Sequence, residues 1–380
     1  MVKNLPQKNI AYTAITTLAF VMACMFNATA QSLHAAIWYF DGLLYDFSST
    51  PMSLSKIGND NWNEVIWYID ADGHHALTVA DKVLYDSNME PIPTDYGWHR
   101  GFFVPVPNNE NLVYYIEIGR CHLIDINKRS VTDMEYVIDV DAITHISVHN
   151  SQCNKVWIID NTADTVWHEY LLSADRIEKI RDIHLDQENF KYPLDKSGWK
   201  LGLSVDCKHY TLTNFKLNNN TEVYYGDFDR QNGNFNRKAS YDFGNGYIGI
   251  LWSAIAYDNS RIYYTLLTTD RQYQILEVPI VGGLPMYDQG VVVLSKTFTY
   301  PITNTMYHAI DGKIYCNEIG NCCISSISID DDGKTIYNVL VSSSESMISN
   351  STINQFVSTW FMDDPCNPCA DMKPPKIISE

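Results

Sequence analysis

One recurring pattern constrains the fold of this chain more than any other feature. An apolar run of strand length meets a short polar turn of Asp, Asn, Gly or Lys, and a second apolar run follows at once. It occurs at "VIWYIDADGHHALTV" (Val65 to Val79), "FFVPVPNNENLVYYIEI" (Phe102 to Ile118) and "ITHISVHNSQCNKVWIID" (Ile143 to Asp160). It returns at "LGLSVDCKHYTLTNF" (Leu201 to Phe215), "SAIAYDNSRIYYTLL" (Ser253 to Leu267) and "MYHAIDGKIYCNEI" (Met306 to Ile319). The turn residues Asp72, Asn109, Asn150, Asp206, Asp258 and Asp311 are 37, 41, 56, 52 and 53 residues apart. Asp, Asn and Gly suit tight hairpins because they tolerate positive φ or bond their own backbone. A third apolar run follows each hairpin: "KVLYD", "HLIDI", "TVWHEYLL", "EVYYGDFD", "YQILEVPI" and "SSISID". A repeat of roughly 40–50 residues with three or four strands per unit is the signature of a β-propeller.

The six units account for residues 64–340 and leave one apolar piece at each end. "WYFDGLLYDF" (Trp38 to Phe47) is half aromatic, and "FVSTWFM" spans Phe356 to Met362. An unclosed propeller would leave an unpaired edge open to aggregation. The expected solution is a shared seventh blade. "FVSTWFM" supplies its innermost strand, and "AIWYF" and "LLYDF" supply the next two. Trp38, Tyr39, Phe40 and Phe47 then meet Phe356, Trp360 and Phe361 as a structural latch. The expectation is an all-β, seven-bladed β-propeller domain over 31–362, followed by a linker or disordered tail over 363–380. "LLSADRIEKIRDI" (Leu171 to Ile183) reads as a strand plus a loop rather than a helix.

Residues 1–30 read as a secretory signal peptide. Lys3 and Lys8 form a basic start, "IAYTAITTLAFVMACMF" is the apolar segment, and Ala28-Thr29-Ala30 is an A-x-A cleavage site. The rival reading takes "VMAC" as a lipoprotein box with Cys24 as the lipidated residue. No second apolar span follows, so no transmembrane span is expected after cleavage. The expected location is secreted, at the cell surface or in the periplasm. The formal net charge is −18, and removal of the first thirty residues leaves −20. So acidic a surface repels nucleic acid and anionic membranes and favours cations or basic partners. Eight of the nine cysteines follow the signal. Cys366 and Cys369, in "PCNPC", are close enough to pair as a disulfide. Cys121, Cys153, Cys207 and Cys316 sit in or beside apolar runs and read as small buried hydrophobes.

The two ends and two internal stretches resemble a family. "AIWYFDGLLYDFSSTPMSL" resembles the opening of the secreted propellers of gliding-motility-associated, type IX-secreted bacterial surface proteins. Trp38-Tyr39-Phe40, Asp46-Phe47 and Thr50-Pro51 match that opening, and Asp41-Gly42 departs from it. "EVYYGDFDRQNGNF", "AIDGKIYCNEIGNCCISSISI" and "FVSTWFM" are similar to later strands of the same family, in order over residues 36–362. The resemblance implies a propeller, export, and a role in surface structure, adhesion or binding. It brings no catalytic residues to carry over. Its members continue into immunoglobulin-like modules and a sorting domain. Residues up to Glu380 hold neither, so the expectation is a short relative, a truncated member or a periplasmic one.

Motifs with chemistry are few. "WHEYLL" (Trp167 to Leu172) begins like the zinc-protease H-E-x-x-H but has Leu172 at the second histidine position. His74-His75 has no third ligand nearby in sequence. "DFDRQNG" (Asp227 to Gly233) and "DDDGK" (Asp330 to Lys334) invite a calcium reading, but neither fits the EF-hand spacing. Turn chemistry accounts for both. "SIDDDGKTIY" differs from the sialidase Asp-box by a displaced glycine. Trp98, Trp167 and Trp199 suit sugar stacking if exposed, and inter-blade packing if not. The expectation is therefore no catalytic, cofactor-binding or metal residues, calcium being the one cofactor left open. The function expected is a non-catalytic binding or structural module with a protein or glycan partner at the propeller face. The alternative is a propeller-type hydrolase or lactonase using carboxylates around a channel metal.

Overall fold

In the computed structural model the described residues lie between Ile37 and Ser342, with gaps at several connections; residues 1–36 and 343–380 lie outside them. The described residues form seven antiparallel sheets, taken in chain order. Blade 1 comprises β1 (Ile37–Phe40), β2 (Leu43–Asp46) and β3 (Ser53–Lys56), and blade 2 comprises β4 (Val65–Ile69), β5 (His75–Ala80) and β6 (Val83–Asp86). Blade 3 holds β7 (Gly101–Val106), β8 (Asn109–Glu117), β9 (Arg120–Asp125) and β10 (Ser130–Met134). Blade 4 holds β11 (His145–His149), β12 (Val156–Asp160), β13 (Val166–Leu172) and β14 (Ile177–His184). Blade 5 holds β15 (Trp199–Leu203), β16 (His209–Asn214), β17 (Glu222–Asp229) and β18 (Asn234–Asp242). Blade 6 holds β19 (Tyr247–Ile255), β20 (Arg261–Thr268) and β21 (Gln272–Val281), the two-residue β22 (Leu284–Pro285), and β23 (Val291–Thr297). Blade 7 holds β24 (Asn304–His308), β25 (Ile314–Glu318), β26 (Cys323–Ile329) and β27 (Thr335–Ser342).

Within each blade the strands pair in chain order as a meander, save that β22 and β23 of blade 6 both pair with β21. First strands touch first strands of the next blade: β4 meets β7, β15 meets β19, and β19 meets β24. The last strands β10, β18 and β23 are mostly exposed or half-buried. Each blade therefore runs from an inner first strand to an outer last strand, and the protein is a seven-bladed β-propeller.

Neighbouring blades cover both faces of the inner strands, and this explains the unbroken apolar runs. β7, "GFFVPV", is buried at every position. A strand covered on one side alone would alternate instead. Tyr114 and Tyr115 are consecutive, and both are fully buried because they face opposite seams. Tyr115 packs with Leu77, Leu84 and Phe103 between blades 2 and 3. Tyr114 packs with Val104, Val156 and Ile158 between blades 3 and 4. The other seams repeat this: Trp157 and Ile159 meet Tyr210 and Phe228, Tyr225 meets Ile250 and Tyr264, and Tyr263 meets Met306 and Cys316. The core is thus a series of inter-blade layers rather than one central body.

Blade 1 refines the sequence reading. The strands expected from "AIWYF" and "LLYDF" are present as β1 and β2, paired with Trp38 opposite Tyr45. A third, "SLSK", joins them, with Tyr45 opposite Leu54. The proposed closing strand falls outside the described residues, as do Phe47, Phe356, Trp360, Phe361, Cys366 and Cys369. Of the described cysteines, Cys121, Cys207 and Cys316 are buried among apolar neighbours. Within 171–183, Leu171 and Leu172 end β13 and Ile177 to Ile183 lie in β14, so the described residues there are strand or connection rather than helix.

One glycine marks how closely two blades approach. A Cβ on Gly202 of β15 would lie 2.8 Å from the Ser253 carbonyl of β19 and 2.8 Å from Thr211 Oγ1. Thr211 and Ser253 are themselves joined across this seam by a 2.7 Å buried hydrogen bond. Gly202→Val should therefore cost about 1–3 kcal/mol, because backbone rather than a flexible side-chain end must move. Urea denaturation of the variant beside the parent measures it, and an unchanged midpoint would contradict the close packing.

Candidate binding face

An up-and-down meander sends its first and third turns to one end of the propeller. The second turn and the inter-blade connections go to the other. The chemistry of the two ends differs.

At the first end, acidic and amide side chains hold the turns. Asp206 Oδ1 accepts from the Lys208 N–H at 3.1 Å and from Ser204 Oγ at 2.6 Å. Asn109, Asn150 and Asp258 act likewise on Asn111, Lys155 and Ser260. Asp229 and Asp330, from the two stretches with a calcium-like spacing, do the same at third turns. Asp229 takes the Gln231 N–H at 2.9 Å and the Asn232 side-chain amide at 2.8 Å. The Asn232 amide holds the Asp229 carboxyl below the ordinary range. Asp330 takes the Lys334 N–H at 2.7 Å and the Asp332 N–H at 3.1 Å. Among the described residues no group of three or more His, Cys, Asp or Glu is placed to hold a metal ion.

The third turns also clasp the preceding blade through arginines. Arg181 of β14 donates to the fully buried Glu169 at 2.7 Å and to the Gly233 carbonyl of blade 5 at 2.9 Å. Arg261 of β20 donates to Glu277 at 3.0 Å and to the Gly333 carbonyl of blade 7 at 3.0 Å. Thr335 of β27 closes that seam with hydrogen bonds to Tyr263 and Glu277. Arg129, in the third turn of blade 3, reaches Asp86 at 3.2 Å and Glu90 at 3.1 Å. Gly233 and Gly333 both have positive φ, near 72° and 77°, so each exposes its carbonyl where a side chain would strain.

The other end is built differently. Between blades 2 and 3, residues 94–99 of the connection lie over the seam at this end. Trp98 is buried there, donating its backbone N–H to the Lys82 carbonyl at 3.1 Å and its indole N–H to Thr94 Oγ1 at 3.1 Å. Beneath it, His122 of β9 is 1% exposed between two carboxylates. Its Nε2 is 3.5 Å from Glu117 Oε1, and its Nδ1 is 3.6 Å from Asp133 Oδ1. The rings of Tyr96 and Trp98 each lie 5.0 Å from the imidazole. Glu117 Oε2 accepts the His99 N–H at 2.9 Å, and the Tyr115 hydroxyl donates to the His99 carbonyl at 2.6 Å. Burial pushes the Glu117 carboxyl up, but the hydrogen bonds from His122 and His99 outweigh it and leave it below the usual range. Burial and the nearby Asp133 push the Cys121 thiol up to about 12, which makes it unreactive. Asp95, His99 and Asp133 are exposed around this cluster.

Sequence reasoning placed Trp98 among candidate sugar-stacking rings; its burial removes it from that role. It did not find Glu117, His122 and Asp133. The available signal was "YYIEIGRCHLID", where a Glu and a His interrupt two apolar strands on either side of Gly119. His168 and Glu169 of "WHEYLL" face opposite sides of β13 and serve separate partners. His168 Nδ1 is 2.7 Å from Asp182, while Glu169 binds Arg181. His75 begins β5, and its side chain, like His74, lies outside the described residues.

No protein-family model matches the chain, and no curated protein matches it. Solved structures similar to it are propeller-sized chains at very low identity. A putative 6-phosphogluconolactonase from Bacteroides uniformis is 9% identical, with TM-score 0.48, over 78% of this chain and 90% of that one. The periplasmic gluconolactonase of Pseudomonas aeruginosa is 11% identical, with TM-score 0.43, over 73% and 81%. Kluyveromyces lactis Hsv2p is 9% identical, with TM-score 0.41, over 73% and 98%. The class of the protein, a seven-bladed β-propeller, rests on its meander order and inter-blade seams rather than on these likenesses.

Proposed function

We propose that this propeller is an exported, non-catalytic binding or structural module of the bacterial surface or periplasm. We further propose that a protein or glycan partner meets it on the face carrying the inter-blade connections. The observation that carries this reading is the division of labour between acidic groups. At the turn end Asp206, Asp229, Asp330, Glu169 and Glu277 are engaged in capping turns and clasping blades. The opposite end presents exposed polar groups over an aromatic and histidine cluster. Loops on a rigid scaffold are where binding residues concentrate. The basic and apolar opening segment with Ala28-Thr29-Ala30 supports export, and the opening and later motifs support kinship with gliding-motility-associated surface propellers.

The test is a thermal shift of the chain from residue 31 onward against calcium, EDTA, surface glycans and peptidoglycan fragments. A ligand at about 100 times its Kd adds about 2.7 kcal/mol of stability. A glycan shift that EDTA does not abolish is the expected result. A calcium-dependent shift would overturn it in favour of a metal-using propeller hydrolase.

A further inference from the structure

The outer corner of blade 6 gathers exposed apolar side chains. Seven large hydrophobic residues are exposed among the described residues, and Val281, Leu284, Val291 and Val292 are four of them. A fifth, Tyr241 of β18, stacks on Tyr287 of the same stretch, with ring centroids 4.5 Å apart and planes 7° off parallel. Single exposed hydrophobes are ordinary, but apolar exposure gathered in one place marks an interaction surface. The backbone sets the patch out from the blade. β21 pairs with β20 as far as Pro279, and beyond it Val281 and Leu284 stand opposite each other across a two-residue turn. Gly282 and Gly283 both have positive φ, near 62° and 78°, as that tight hairpin requires. Val291 and Val292 then open β23, the outermost strand, which among the described residues pairs with β21 alone.

We propose that this edge of blade 6 is a docking surface for an extended peptide strand, apolar at alternate positions and carrying lysine or arginine between them. Among the described residues no strand covers the far side of β23, so it offers a row of backbone N–H and carbonyl groups on which a strand can add to the sheet. Natural edges are commonly blunted by charge. β10 carries Asp133, β14 carries Glu178, Lys179, Arg181 and Asp182, and β18 carries Arg237 and Lys238. β23 instead opens Val-Val-Val-Leu, and its single charge, Lys296, lies over the Tyr337 ring of blade 7 at 5.3 Å. The surrounding charge selects the partner. Asp288 is exposed just before Val291. Val291 stands opposite Glu277, which holds Arg261, and Arg261 reaches the Gly333 carbonyl. The third turn of blade 7 is therefore beside the patch, with Asp331, Asp332 and Lys334 exposed. Acids outnumber the base there, and the whole chain carries −18, so a basic strand is attracted and a second copy of this chain is repelled. The patch is on the rim at the turn end, away from the inter-blade connections, and does not rest on the function proposed for that face.

Fluorescence anisotropy of a labelled peptide of alternating valine and lysine, titrated with the full chain, tests the surface. The peptide should bind, and added salt should weaken it. Methylating its backbone nitrogens at alternate residues keeps the charge and removes the ladder donors, and should weaken binding about tenfold or more. The double variant Val291→Ser with Val292→Ser keeps the charge of the protein, and because both side chains are exposed it leaves the core intact. It should weaken binding about tenfold, the scale of two partly buried valines. No binding by the parent chain overturns the proposal. So does equal binding of the methylated peptide, equal binding of a valine–glutamate peptide, or equal binding by the serine variant. Sedimentation equilibrium of the chain without peptide tests the other occupant. A monomer is the expected result, and a dimer that the serine variant abolishes would assign the patch to a second copy and overturn the proposal.

Discussion

Trp157→Ala is expected to lower the stability of the propeller by about 3–5 kcal/mol, the range for truncating a large buried aromatic. Trp157 is 4% exposed in β12, at the seam between blades 4 and 5. It packs there with Ile183, Tyr210 and Phe228, residues from both blades. Its indole N–H donates at 2.8 Å to the Arg230 carbonyl in the third turn of blade 5. The Ser151 N–H shares that acceptor at 3.3 Å, and the Arg230 guanidinium returns a 3.3 Å bond to the Asn150 carbonyl. One side chain thus fills the seam and pins the neighbouring turn. Trp157→Phe separates the two roles. It keeps most of the apolar contact and loses the donor, so its cost should be nearer 1 kcal/mol. Equilibrium urea denaturation of both variants measures the two costs. A Trp157→Ala loss under about 1 kcal/mol would mean that the seam relaxes around the vacancy and that blades do not depend on one another as their packing indicates.

The propeller was legible because its inner strands are buried on two faces and its turns need special residues. "GFFVPV" is an unbroken apolar run and "RIYYTLLT" a nearly continuous one, and Asn109, Asn150, Asp206 and Asp258 mark the turns they cap. The outer strands were not legible. "SVTDM" and "NFNRKASYD" are mostly exposed or half-buried, so their composition is that of a linker and only pairing with β9 and β17 makes them strands. In blade 2 even that outer strand is missing among the described residues, and a single bridge from Tyr85 to Pro91 stands in its place. A proline, lacking the N–H, fits such an edge. The clasps and the His122 cluster were hidden for another reason. Arg181 and Gly233 are 52 residues apart, as far as one repeat. Glu117 and Asp133 become neighbours only through the register that sets Asp133 opposite His122. Nothing local in the sequence reports a contact made between repeats.

Arg181→Met is expected to cost about 3 kcal/mol, because it strips the guanidinium from a carboxylate that has no access to water. Glu169 is 0% exposed, while Arg181 is 34% exposed and can turn its charge toward solvent. The two single variants should therefore be unequal. Glu169→Leu leaves an arginine that rehydrates and should cost less than Arg181→Met, which leaves a buried acid. The double variant should recover most of the loss, since a buried ion pair replaced by apolar side chains is often neutral or better. A coupling energy above about 1 kcal/mol in this cycle marks a true pair. The same measurement on Arg176 and Glu178 provides the contrast. That pair has a similar 3.0 Å contact, but its side chains are 60% and 52% exposed. Its coupling should stay within about 0.5 kcal/mol, as surface ion pairs do. If the two cycles gave equal values, burial would not set the strength of the clasp. The recurrence of Arg181 on Gly233 and Arg261 on Gly333 would then reflect turn geometry alone. If the buried cycle dominates, the arginine clasps are what lock blade 4 to the outer turn of blade 5 and blade 6 to that of blade 7.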